Sequence, residues 1–176
     1  LDGARLFNAV AASGIPAAQW AQHFDTVSIC FSKGLGAPVG SALCGTTEMI
    51  AFARRHRKMF GGGMRQAGII AAGALFALEH NVEQLHIDNQ NAQQIAQTIR
   101  DTEGLQLAGD RADTNIVMFD VSSRVGSPSA LVAELDSQNV RCLALGPTRV
   151  RMVTHLDVST TQINQACEIL NQIVTN

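Results

Sequence analysis

Apolar and polar residues change period several times along the chain, and each change marks an element. Leu1 to Ala12 reads as the end of a strand, an Asp-Gly turn and an apolar run. Ser13-Gly14-Ile15-Pro16 then breaks the chain ahead of a short helix around Ala17 to His23, so this region is expected to be strand end, loop, helix. Asp25 to Phe31 (DTVSICF) is short, β-branched and apolar, the composition of a buried strand, and Ala42 to Cys44 reads as a returning strand. Thr46 to Met59 mixes basic and apolar residues at helical spacing, with Thr46 or Thr47 suited to the N-cap and Glu48 to the first turn. Gly61-Gly62-Gly63 ends it. From Met64 to His80 the run Ala71-Ala72-Gly73-Ala74, with Ile69, Leu75 and Leu78, predicts a closely packed buried helix stopping at Asn81.

A long helix is expected from about Val82 to Asp101, with Leu85, Ile95 and Ile99 on its inward stripe. Beyond it the pattern predicts strands at Asn115 to Val121, Cys142 to Leu145 and Val150 to Val153, and helices near Ser129 to Asn139 and Ser159 to Asn176. This second part is an α+β unit with its own core, and the boundary is placed inside the long helix, dividing the chain into residues 1–84 and 85–176.

A chain of 176 residues can bury a sizeable core. Its 46% hydrophobic content and formal net charge of -2 favour neither a polyanion-binding surface nor a disordered chain, so small molecules fit better as partners than nucleic acid. Cys30, Cys44, Cys142 and Cys167 lack the paired short spacing of a zinc site or disulfide framework and are expected as reduced core residues. His23, His56, His80 and His86 have no metal-ligand spacing and are expected at the surface, so no metal is anticipated. No charged-then-apolar leader and no apolar run of roughly 18 residues is present, so no membrane partner and a cytoplasmic setting are expected. The first residues, without a methionine, read as a strand already in progress, and further chain upstream is expected.

Lys33 follows a buried strand and opens a glycine-rich turn, an unusual place for a residue that seeks water. Apolar burial there would lower its pKa and leave a neutral amine able to condense with an aldehyde, while Gly34 and Gly36 would let a ligand approach the backbone. A solvent-facing loop lysine is the open alternative. Asp2 lies just beyond a strand end, where ligand crevices of α/β sheets open, although Asp-Gly is also an ordinary turn.

Taken together, Leu1-Asp2-Gly3-Ala4-Arg5 and, about thirty residues later, Ser32-Lys33-Gly34-Leu35-Gly36-Ala37-Pro38-Val39-Gly40-Ser41 resemble the low-specificity L-threonine aldolase family of fold-type I pyridoxal-phosphate enzymes. Arg57-Lys58-Met59, Gly61-Gly62-Gly63-Met64-Arg65-Gln66 and Val150-Arg151-Met152-Val153-Thr154-His155-Leu156-Asp157-Val158 continue that pattern over essentially the whole chain. The resemblance implies an α/β fold, the second half of a fold-type I transferase-like large domain followed by a small α+β C-terminal domain. It implies pyridoxal 5'-phosphate as cofactor, Lys33 as the lysine that carries it, and Asp2 as the partner of its ring nitrogen. Arg5 and Arg151 would receive the substrate α-carboxylate, with Arg5 and Ser32 also near the cofactor. Lys58 and Arg65 would approach the cofactor phosphate of a neighbouring subunit in a homodimer or homotetramer, although a basic run such as Arg54 to Lys58 is ordinarily a solvated helix face. His155 matches a family position, while a lone histidine beside a strand is more often structural.

The implied reaction is that of an aldehyde-lyase cleaving L-threonine, L-allo-threonine and related β-hydroxy-α-amino acids to glycine and an aldehyde. In such enzymes the ring that stacks on the cofactor, the turn that cradles its phosphate and the candidate histidine bases lie upstream. The chain alone is therefore expected to be an inactive part of a product about twice as long. Another fold-type I enzyme (an aminotransferase, a β-eliminating lyase or a serine hydroxymethyltransferase-like protein) and a non-catalytic remnant are the alternatives.

Overall fold

Gly14, at φ 70°, caps the first helix of the chain, α1 (Leu6–Ser13), by donating its amide to the Val10 carbonyl at 2.8 Å. The computed structural model describes residues 1–175, which form two compact units, Leu1–Leu85 and the unit that begins at His86. The apolar run after the Asp-Gly turn is thus helix and not loop. So short a run carries no period of its own, and Ser13, whose hydroxyl donates to the Ala9 carbonyl at 2.7 Å, helps fasten its last turn. A second short helix, α2 (Ala17–Ala21), follows Pro16.

Strands β1 (Thr26–Cys30) and β2 (Ser41–Gly45) pair antiparallel, in register from Thr26 opposite Gly45 to Cys30 opposite Ser41. The segment Leu1 to Gly3 runs parallel beside β1. Ser28 donates its amide to the Leu1 carbonyl at 2.9 Å, and Gly3 donates to the Ser28 carbonyl at 2.8 Å. Helix α3 (Thr47–Met59) opens on Thr46, whose hydroxyl accepts the Met49 amide at 3.2 Å, and closes with the basic residues His56, Arg57 and Lys58, of which the arginine and lysine are cations suited to a helix C-terminus.

Helix α4 (Gly68–His80) begins four residues later than the pattern predicts and is not buried as expected. Only Ala74 and Ala77 are fully covered, whereas Ile69 is 91% and Phe76 58% exposed. Within this unit the core is small: Leu35, Ala37, Ala77 and Leu85, flanked by Phe7, Phe31 and Val82. It can cover one side of a helix that is apolar all round.

The second unit carries most of α5 (Leu85–Asp101), whose start falls three residues after the expected one, then β3 (Leu105–Leu107), β4 (Ile116–Val121), α6 (Pro128–Ser137), β5 (Leu143–Leu145), β6 (Arg149–Val153) and α7 (Thr160–Thr175). The last residue of the helix expected to run to Asn176 lies outside the described residues. The strands form one antiparallel sheet in the order β3-β4-β6-β5. Its alternation is plain: Val117, Phe119 and Val121 of β4, with Val150 and Met152 of β6, face a core completed by Ile95 and Ile99 of α5, Leu131 and Leu135 of α6, and Ile163, Cys167 and Leu170 of α7. The three-residue β3 is too short to announce itself in the sequence.

All four cysteines are free thiols, but they do not all lie in a core. Cys44 is exposed on β2, most of whose residues face outward. Burial, with a contribution from Asp136, pushes the Cys142 thiol up to about 11, and burial raises Cys167 as well, which keeps both protonated and unreactive.

Candidate active site

Lys33 sits three residues past the end of β1, in a turn that returns on itself: Gly36, at φ 72°, donates to the Lys33 carbonyl at 2.9 Å, and Ala37 to the Phe31 carbonyl at 2.9 Å. The side chain is exposed, so the apolar burial expected around it is not supplied by the described residues. Asp2 is exposed too, and its Oδ1 accepts the Ala4 amide at 3.2 Å. Because Leu1 to Gly3 and β1 are parallel neighbours, their carboxyl ends point to one edge of the sheet, and Asp2 and Lys33 both leave from that edge. Ser32 is exposed beside Lys33, and Arg5, half-buried, directly precedes α1.

Two glycines hold this arrangement close. A Cβ on Gly34 would come 2.5 Å from Oδ1 of buried Asn8, and one on Gly3 would come 2.8 Å from the Ser28 carbonyl and 3.2 Å from Val27 Cγ1. Gly3→Ala must therefore push the Asp2 segment off β1, at a cost on the order of 1–3 kcal/mol. The expected result is a lower urea midpoint with faster amide exchange at Ser28; an unchanged exchange rate would contradict the contact.

In the second unit, β6 presents Arg149 and Arg151 on the face opposite the core. Arg149 is opposite Asp120 and holds it with two hydrogen bonds, 3.0 Å from Nε and 2.8 Å from a terminal nitrogen, while Thr148 donates to the same carboxylate at 3.2 Å. Those bonds, Arg149's first, keep the Asp120 carboxyl below the usual carboxylate range. Arg151 stands opposite Met118, and its buried Nε has no hydrogen-bond partner among the described residues. His155, half-buried just past β6, lies 3.4 Å from Asp157. Lys58, within α3, and Arg65, after it, are exposed, and neither forms an ion pair among the described residues. The sequence-predicted residues thus fall into two sets: Asp2, Arg5, Ser32, Lys33, Lys58 and Arg65 in the first unit, Arg151 and His155 in the second.

Residues 1–124 match the family model described as beta-eliminating lyase. The chain belongs to the beta-eliminating lyase family. Within reach of that family, it is 44% identical over 163 residues to the low specificity L-threonine aldolase of Escherichia coli (strain K12), covering 93% of this chain and 47% of that protein. It is 34% identical over 174 residues to low-specificity L-threonine aldolase 1 of Arabidopsis thaliana, covering 98% of this chain and 48% of the relative. The solved structure of the Leishmania major threonine aldolase superposes with a TM-score of 0.77 at 21% identity, over 99% of this chain and 51% of that one. The fold is α/β, the second half of a fold-type I large domain followed by a small α+β domain. The chain spans about half the length of the curated relatives it matches.

This beta-eliminating lyase family member also holds a polar residue that the sequence pattern passed over. Asp88 of α5 is 4% exposed, and its Oδ2 is buried without a hydrogen-bond partner among the described residues. It shares the inward stripe of Ile95 and Ile99, seven and eleven residues on, and a carboxylate on such a stripe is the signal that could have found it. Burial raises its pKa above the usual 3.8, and the charge of His155 offsets part of that rise. A raised folded-state pKa makes the protonated form the stabilising one: the contribution is fully present below the unfolded value and is lost as pH climbs through the folded value. Asp88→Asn should therefore be more stable than the native chain at pH 7, with an advantage that shrinks toward pH 4. Urea midpoints of both proteins across that range check this, and a pH-independent difference would contradict it. Among the described residues no helix is long and apolar enough to cross a membrane, and no group of three or more His, Cys, Asp or Glu could hold a metal ion.

Proposed function

We propose that this chain supplies the cofactor lysine and its partners to a pyridoxal 5'-phosphate-dependent aldehyde-lyase of the threonine aldolase type, which cleaves L-threonine, L-allo-threonine and related β-hydroxy-α-amino acids to glycine and an aldehyde. The observation that carries this reading is the departure of Asp2 and Lys33, both exposed, from one edge of a parallel strand pair. The reaction is proposed for a protein that also carries the other half of its relatives' length.

The residues present fit the cofactor. A primary amine and a carboxylate, both exposed, leave the same end of the parallel pair. When bound, the cofactor supplies a ring that accepts the electron pair released as the Cα–Cβ bond breaks. Lys33 would hold its aldehyde carbon, and Asp2 would keep its ring nitrogen protonated by presenting a carboxylate to it. The Ser32 hydroxyl would hydrogen-bond near the phosphate. Lys58 and Arg65 would bring positive charge to the phosphate of a neighbouring copy, making the active form a homo-oligomer in the cytoplasm. Arg151, together with Arg5, would take the α-carboxylate, since a guanidinium fork fixes both the position and the plane of that group.

Incubating the complete protein with L-allo-threonine and a 2-oxo acid tests the reading. Aldehyde and glycine formed without amino transfer support it; transfer of the amino group to the oxo acid rejects it in favour of an aminotransferase. The family model favours one further reading, β-elimination. Pyruvate and ammonia released from β-chloro-L-alanine, with no aldehyde from allo-threonine, would be its signature.

A further inference from the structure

The sheet of the second unit places two arginines on one face of one strand and treats them differently. In antiparallel pairing, residues directly opposite each other project to the same face with Cβ atoms about 4.5–5.5 Å apart, so each arginine of β6 meets one residue of β4 and one of β5. Arg149 lies between Asp120 and Leu145; Arg151, one rung along, lies between Met118 and Leu143. The rungs differ in a single respect that matters to a cation: where one has a carboxylate, the other has a thioether. Asp120 is engaged by Nε and a terminal nitrogen of Arg149, with Thr148 as a third donor, and makes no hydrogen bond to Arg151 among the described residues. The remaining rung on this face, Ile116 opposite Val153, is aliphatic. Arg151 Nε accordingly ends buried with no hydrogen-bond partner among the described residues.

We propose that Met118 is a positioning residue that acts through Arg151: by occupying the rung where a carboxylate would capture the guanidinium, it leaves Arg151 available to the carboxylate of an amino-acid ligand. The idea rests on the proposed role of Arg151 and deepens it. A buried guanidinium nitrogen without a partner is costly, and the apolar neighbours on both sides stop the protein from relieving that cost internally. Arg149 provides the contrast within the same sheet. It shows how readily a carboxylate at the opposite position on β4 neutralises an arginine of β6, and why substitution at 118 alone should switch the behaviour of residue 151.

The Nε–H resonances of Arg149 and Arg151, followed in the 176-residue chain while acetate is added, test the proposal. Arg151 should shift on titration and Arg149 should not. In Met118→Asp the Arg151 signal should move toward the position of Arg149, and its apparent acetate affinity should fall by at least about tenfold, because the new carboxylate competes from within the molecule. Met118→Leu, which keeps the rung apolar, should respond within about twofold of the native chain, a difference too small to signal a new pairing. The Arg149 signal, held by Asp120, reports in the same spectra that the sheet is intact. Should Met118→Asp fail to fold, the reciprocal change Asp120→Met should free Arg149 and make it respond to acetate. An Arg151 that ignores acetate in the native chain, a Met118→Asp chain that responds undiminished, or an Asp120→Met chain whose Arg149 stays silent overturns the proposal. Failure of the allo-threonine assay with the complete protein would remove the aldolase reading without touching this result.

Discussion

Lys33→Ala is expected to abolish covalent uptake of pyridoxal 5'-phosphate by the chain. The sequence contains two lysines, Lys33 and Lys58, so the experiment has few competing amines. Incubation with the cofactor, reduction with borohydride and peptide mapping should place the fixed pyridoxyl group on Lys33. Lys58→Ala should leave that labelling in place. Lys33 stands at the carboxyl end of β1 with Asp2 leaving from the same edge, whereas Lys58 lies in a run of cations where no carboxylate accompanies it. Labelling shared equally between the two lysines, or surviving Lys33→Ala, would mean that the amine at 33 has no privileged chemistry.

Phe119→Ala should unfold the second unit at a much lower denaturant concentration than the native chain. Phe119 is fully buried on β4, in the core that also holds Ile95, Leu135 and Leu170. Truncating a buried phenylalanine costs about 3–5 kcal/mol, a large part of the total stability of an ordinary domain. Amide exchange across β4 and β6 would show the loss directly. A destabilisation under about 1 kcal/mol would mean that the core is looser than its packing implies.

What could be seen in the sequence follows from how many neighbours each element has. Strands β4 and β6 and helices α5 to α7 were legible because each buries one face against a shared core, and one-sided burial imprints a period. Helix α1 and strand β3 were not, since eight and three residues leave too little pattern to tell helix, strand and loop apart. Helix α4 misled in the opposite direction: its composition is that of a buried helix, yet most of its apolar side chains meet solvent in this chain. At the candidate site, the order of Asp2 and Lys33 was visible in the motifs, but their common sheet edge depends on a parallel pairing that nothing local announces. The pair Arg149 and Arg151 illustrates the limit best. Both stand on one strand at matching phase, and only the register across the sheet separates the arginine that is neutralised from the one that is not.

The uncovered side of α4 has a practical corollary. Each large aliphatic or aromatic side chain left in water forgoes about 1.5–3 kcal/mol that burial would contribute, and Ile69, Leu75 and Phe76 all stand in that position on a single helix. Sulfate and similar ions are excluded from protein surfaces and strengthen apolar association, so the polypeptide should salt out early. Its solubility is best preserved in weakly hydrated salts at modest concentration.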